Sequence, residues 1–194
     1  MGLKGGSGAM HDTDGYDHIG MIDASGGVLD QDYEMLEQQT PHLLLEHEYL
    51  EDSAGPGTHR GGLGVRTRYR MGGTGTQLVT FGDGDVEPAF GLFGGHPGTL
   101  NRIVLTHPDG RRVTPTSKDL ISNIPEGTLY EQDAGGGGGY GDPKLRPADL
   151  VAREVRNGII SRSAALEAYG VALVAGTYDV DRDMFQAANS FIRN

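Results

Sequence analysis

Along much of the chain, apolar and polar positions alternate in short runs separated by turn-forming residues. Over residues 43–50, Leu43, Leu45, His47 and Tyr49 fall on one side of an extended chain. Leu44, Glu46, Glu48 and Leu50 fall on the other, which predicts a strand. Residues 65–71 set Val65, Thr67 and Tyr69 against Arg66, Arg68 and Arg70, a half-exposed strand. Further strands are predicted at 77–81, 103–106, 111–114 and 128–131. The step His107-Pro108-Asp109-Gly110 joins two of them as a hairpin, because Pro fixes one turn dihedral and Gly permits positive φ. Residues 30–37 suit either a short helix or an extended segment. Short strands with turns between them argue for a sandwich- or barrel-like body.

Beyond Pro143 the pattern changes. Pro147 suits the first turn of a helix, Leu150, Val151 and Val155 supply its apolar face, and Gly158 ends it. Ser161 is the N-cap of a second helix running to Tyr169 and stopped by Gly170. Asp181 or Asp183 starts a third, through Phe191. Residues 2–27 have no period; rich in glycine, acids and histidine, they read as a loop that something else must hold. The fold class is therefore α+β, a predominantly β body of short antiparallel strands with Gly-rich loops and a C-terminal helical tail. Residues 1–40 are the loop segment expected to dock on a partner, 41–145 the β-rich body and 146–194 the tail.

Composition narrows the function classes. Glycine supplies 33 of 194 residues, well above the usual share of ~7%. The glycines come in clusters with no triplet period, which excludes collagen, and 36% hydrophobic with 22% charged residues excludes disorder. What remains is a chain with many tight turns and close backbone approaches. Lys+Arg number 16 against 27 Asp+Glu, a net charge of -11. Such a chain repels phosphate backbones and anionic membranes, so neither nucleic acid nor a lipid surface is an expected partner. Cysteine is absent, which removes disulfides and thiolate chemistry. With no signal-like apolar stretch near the N-terminus and no apolar run long enough to span a bilayer, a cytoplasmic location is expected.

The residues that carry chemistry are few. Gly135-Gly136-Gly137-Gly138-Gly139-Tyr140-Gly141-Asp142-Pro143 could present backbone N–H groups to a phosphate or carboxylate. It lacks the Lys-Ser/Thr of a P-loop, and close backbone packing is the competing explanation. His11 and His18, with Asp12, Asp14 and Asp17, contain hard-metal ligands but no EF-hand order, so a solvated acidic loop is expected and no metal site. No serine sits in a nucleophile elbow. Lys118, in Thr116-Ser117-Lys118-Asp119, reads as a surface cation.

Four ordered motifs nevertheless resemble one family. They are Asp52-Ser53-Ala54-Gly55-Pro56-Gly57-Thr58-His59-Arg60-Gly61-Gly62-Leu63-Gly64, then Gly91-Leu92-Phe93-Gly94-Gly95-His96-Pro97-Gly98. The glycine run through Asp142-Pro143 is the third, and Val155-Arg156-Asn157-Gly158-Ile159-Ile160-Ser161 the fourth. Together they are similar to the C-terminal portion of the hydantoinase B/oxoprolinase family, which also includes acetone and acetophenone carboxylase large subunits. The resemblance implies a split subunit of an ATP-dependent hydantoinase/oxoprolinase-type enzyme that opens a cyclic amide or imide. The alternative within the family is a ketone carboxylase, and outside it a purely structural assembly subunit or a free-standing ligand-binding β domain. It implies a hetro-oligomer with a hydantoinase B-like N-terminal chain and a hydantoinase A-like ATPase chain. ATP and a divalent metal would be bound mainly by those partners. It raises Lys118, which matches a lysine before the glycine run, to a catalytic candidate. Substrate- or anion-loop candidates are Arg60, Gly61 and Gly62, Gly94 and Gly95, and Gly136, Gly137, Gly138, Gly139 and Tyr140. The acids of Asp83-Gly84-Asp85-Val86-Glu87, where the family often has an Asp-Arg pair, count against an anion role for the second motif.

Overall fold

The computed structural model describes residues 4–19 and 32–182. Its β strands form two antiparallel sheets, as the alternating pattern requires. Strands β1 (Leu43–Tyr49), β2 (Val65–Arg70), β4 (Arg102–Thr106), β5 (Arg112–Val113) and β7 (Leu129–Ala134) make the larger, in the order β1-β2-β7-β4-β5. A separate ribbon pairs β3 (Thr76–Val79) with β6 (Leu120–Ile124). Helix α1 (Tyr33–Gln39) precedes β1; the Asp32 carboxylate caps it by accepting from the Met35 N–H at 3.1 Å. The choice left open at 30–37 thus resolves as helix over its described part.

The alternation holds on β2 and breaks on β1. A bulge between Leu44 and Glu46 puts Leu44 opposite Tyr69 and His47 opposite Thr67, so both face the core side. The expected grouping of Leu43, Leu45, His47 and Tyr49 is therefore wrong, because one extra residue reverses the side on which every later one falls. Strand β6 is a second difference. Asn123 adopts φ +55, which interrupts the two-residue period by which a strand is recognised.

One hydrophobic cluster lies between α1, the larger sheet and the ribbon: Leu36, Tyr69, Met71, Leu105, Ile124 and Tyr130 are buried there. The opposite face of the sheet carries an ion-pair ladder, with Arg66 bidentate on Asp133 at 2.6 and 2.8 Å and Arg68 between Glu46 and Glu131. A second cluster belongs to the tail. Helices α2 (Ala148–Arg156) and α3 (Arg162–Glu167) bury Val151, Val155 and Ala165 against Ile160, Tyr169 and Val171, α3 ending two residues short of the expected Tyr169. Ser161 caps α3, its hydroxyl accepting from the Ala164 N–H, as expected. The third helix expected through Phe191 lies outside the described residues.

Between the clusters the chain packs without side chains. A Cβ on Gly135 or Gly138 would strike the backbone of Thr99 or Phe90, on Gly136 or Gly139 that of Ser53 or Pro56, and on Gly137 that of Ser7, all closer than 3.0 Å. Gly136 and Gly139, three apart, thus face the same segment, residues 53–56. That is the screw of an extended polyproline II helix, not the two-residue alternation of a strand. Hydrogen bonds run sideways to several segments at once. Gly6 N–H donates to Gly135 O, Gly55 N–H to Gly137 O, Gly137 N–H to Gly62 O, and Gly139 N–H to His96 O, at 2.8 to 3.1 Å. The chain's own glycine segments hold residues 5–9, within the loop that sequence alone left unanchored.

Gly137→Ala is expected to destabilise the fold by about 3 kcal/mol or more, since backbone on both sides would have to move. Gly82→Ala, with open space around it, is expected to change stability by less than about 0.5 kcal/mol. Urea midpoints of the two variants provide the measurement; equal values would refute the packing account.

Candidate functional site

Two arginines and three carboxylates meet where the N-terminal segment, the first glycine motif and the tail converge. Arg60 Nε donates to Glu154 Oε1 at 2.9 Å, and its terminal nitrogen to Asp17 Oδ1 at 3.1 Å and Gly61 O at 2.7 Å. Arg146 forks onto Glu154 at 3.0 and 2.7 Å and onto Asp14 at 2.8 and 2.7 Å, and also reaches Thr58 O. Arg60, Arg146 and Glu154 are all buried. Helix α2 presents Glu154 on the face that also carries Val151 and Val155. Asp14 accepts the Arg60 backbone N–H as well, and Asp17 that of Leu63. The expected solvated acidic loop is thereby corrected: Asp14 and Asp17 are arginine ligands.

Burial raises the Asp14 carboxyl, but the Arg146 hydrogen bonds and charge, joined by Arg60, outweigh it and hold the group below its ordinary value. Burial likewise lowers both arginines, and their carboxylate partners more than reverse it. The cluster is closed chemically. Its cations are satisfied by carboxylates of the same chain, leaving Arg60 little capacity for an external anion.

The glycine candidates assemble in the bundle. Gly61, Gly62, Gly137 and Gly139 donate their N–H groups to backbone oxygens of neighbouring segments. Gly136 donates to the Thr99 hydroxyl, and Gly95 to Leu92 O within its own turn. Gly138 is packed among them, whereas Gly94, at φ +94, lies on the surface. Tyr140 stands at the end of the run, half-buried. Its ring lies 5.1 Å from that of Phe93 and 6.2 Å, edge-on, from that of His11. Lys118 sits elsewhere, on the turn before β6, with Nζ 2.9 Å from Asp83 Oδ1. That hydrogen bond raises its ammonium above the ordinary value, opposite to what a nucleophilic amine requires. A cleft of about 1220 Å³, whose lining includes Tyr69, Leu78, Ile103, Tyr130 and Asp83, opens between the ribbon and the larger sheet. Among the described residues no group of three or more His, Asp or Glu side chains is placed to hold a metal. No helix among them is long and apolar enough to cross a membrane.

The sequence profile of the hydantoinase B/oxoprolinase family matches residues 1–143, which includes the first three motifs and both loop aspartates of the cluster. The chain belongs to that family. It is 33% identical over 172 residues to the caprolactamase subunit beta of Pseudomonas jessenii, covering 87% of this chain and 29% of that one. It is 26% identical over 224 residues to the acetone carboxylase alpha subunit of Xanthobacter autotrophicus, covering 97% and 29% respectively. The solved structure of ATP-dependent caprolactamase from Pseudomonas jessenii superposes with a TM-score of 0.78 at 28% identity, over 97% of this chain and 33% of that one. Nucleotide-free acetone carboxylase gives 0.83 at 24% identity over 98% and 30%, a likeness of fold. The chain thus spans about a third or less of the length of these relatives.

What sequence reasoning missed is Arg146, Glu154, Asp14 and Asp17 as one cluster. Arg146 and Asp14 stand 132 positions apart, and no periodicity links them. Glu154→Gln is expected to cost about 3–5 kcal/mol, because two buried arginines lose their shared charge. Since Asp14 titrates below its ordinary 3.8 when folded, its contribution is full above that pH and fades as the pH falls through the lowered value. Urea midpoints of the parent chain and Asp14→Asn, compared from pH 7 downward, are therefore expected to differ at neutral pH and converge in acid. A gap that stays constant would contradict the assignment.

Proposed function

We propose that this chain is a non-autonomous subunit of an ATP-dependent hydantoinase/oxoprolinase-type enzyme that opens a cyclic amide or imide. The observation that carries this reading is the 33% identity to a caprolactamase subunit across 87% of the chain. Against it stands the ketone carboxylase, whose alpha subunit is 26% identical across 97% of the chain.

The described residues do not fit a nucleotide or metal site. Arg60 and Arg146 are neutralised internally, and most amides of the glycine candidates already have acceptors. ATP and a divalent metal would therefore belong to a hydantoinase A-like ATPase chain and a hydantoinase B-like N-terminal chain in a hetero-oligomer. This chain's part is to hold a rigid wall against them. The glycine bundle excludes water from its interior by backbone contact, and the Arg60–Glu154–Arg146 cluster fixes its edge. Among the sequence candidates, Gly94 and Tyr140 remain accessible and border the shared site. Lys118 contributes a charge at the boundary.

The assembled complex is expected to open a lactam or hydantoin only with ATP, releasing ADP in step with the ring-opened product. Bicarbonate-dependent ATP turnover with a ketone, and none with a lactam, would favour the carboxylase. Lys118→Met is expected to leave kcat within about 2-fold; a fall of about 100-fold would give it a role in proton or nucleophile chemistry.

A further inference from the structure

The three phenylalanines among the described residues all face solvent: Phe81 is 93% exposed, Phe90 76% and Phe93 76%. Phenylalanine ranks with the residues most often fully buried, and here tyrosines fill the core instead. The same stretch exposes Val79 and Val86. Val79 is the direct cross-strand partner of Leu120, also exposed, whereas the neighbouring Leu78 and Ile121 pack on the main cluster. The β3–β6 ribbon is therefore apolar on both faces, as in sheets covered on both sides. Phe93 adds strain. It holds φ +52, a conformation rare for a bulky side chain and characteristic of functional positions.

The surroundings limit what covers this surface. Asp83, Asp85 and Glu87 lie within the same excursion, and Lys118 is already paired with Asp83. A second copy placed face to face would set acids against acids. The relatives carry this fold as about a third or less of a longer chain. Resting on the reading of this chain as a subunit, we propose that residues 79–93 with Leu120 form the docking surface for the remainder of a hydantoinase B-type chain. The facing surface of that partner is apolar at its centre and basic at its rim.

The test is a tagged chain produced in its native cell, with co-purifying chains identified by mass spectrometry. A carbodiimide would couple the rim carboxylates to partner lysines as amides, with loss of water. A hydantoinase B-type chain is expected at 1:1, linked through Asp83, Asp85 or Glu87. Phe81→Asp/Phe93→Asp is expected to lower its recovery at least 10-fold with an unchanged melting temperature, and Phe81→Leu/Phe93→Leu to retain it. Should the Asp pair melt earlier, Phe81→Asp alone, just past the end of β3 and 93% exposed, is expected to show the same loss. Undiminished recovery, cross-links confined to other faces, a homodimer through this patch, or no such chain at all would each overturn the proposal. The two readings fail separately. A complex that docks here yet opens no cyclic amide refutes the function and keeps the surface; an active complex indifferent to the Asp variants does the reverse.

Discussion

No Cβ atom fits between the backbone segments at the centre of this protein, and the rest of the structure is arranged around that exclusion. Successive residues of 135–139 present different neighbours, and Gly136 and Gly139, three apart, return to the same segment. Every surrounding segment must then also be glycine, or turn its side chain outward, wherever it touches the run. Gly61 and Gly64, and Gly95 and Gly98, meet this condition, each pair three residues apart, and Gly5 meets it against Gly135. The cohesive force is lateral hydrogen bonding between peptide groups, since almost no apolar side chain is present to be buried. The apolar side chains are displaced to two clusters on either side, one under the β sheet and one in the tail.

This organisation explains which parts could be read from the sequence. Strands β2 and β4, the hairpin turn and the cap of α3 announce themselves through local chemistry, because alternation and capping involve residues a few positions apart. The bulge in β1 and the left-handed Asn123 in β6 depend on what lies across the sheet, and the local pattern misleads there. Glycine is the instructive case. Over the whole chain its spacing has no triplet, yet within each segment the three-residue step is present, and packing uses only those short stretches. The candidate loops were legible as places of close approach, while the partner of each approach was not. Arg60 and Arg146 gave no local sign that their charges would be met by Glu154 and two N-terminal aspartates.

A bundle held by repeating peptide hydrogen bonds has a problem of register. One glycine looks like the next, so a segment displaced along its axis by one repeat of three recovers nearly the same contacts, as in any glycine-rich pairing. Something with direction must fix the alignment. Arg60 immediately precedes Gly61, Asp14 and Asp17 flank Gly15, and Arg146 lies just beyond the glycine run, so the ion-pair cluster touches the ends of three sliding segments. Both arginines are bidentate or bridging, and planar forks tolerate little displacement. A shift of one repeat would pull Asp14 from Arg146 and leave its buried guanidinium sharing the single Glu154 carboxylate with Arg60, a penalty far larger than the loss of one weak contact. The charges contribute little as net attraction after desolvation. Their role is to make one alignment of the glycine segments different from all others, and Glu154 extends that alignment to the helical tail.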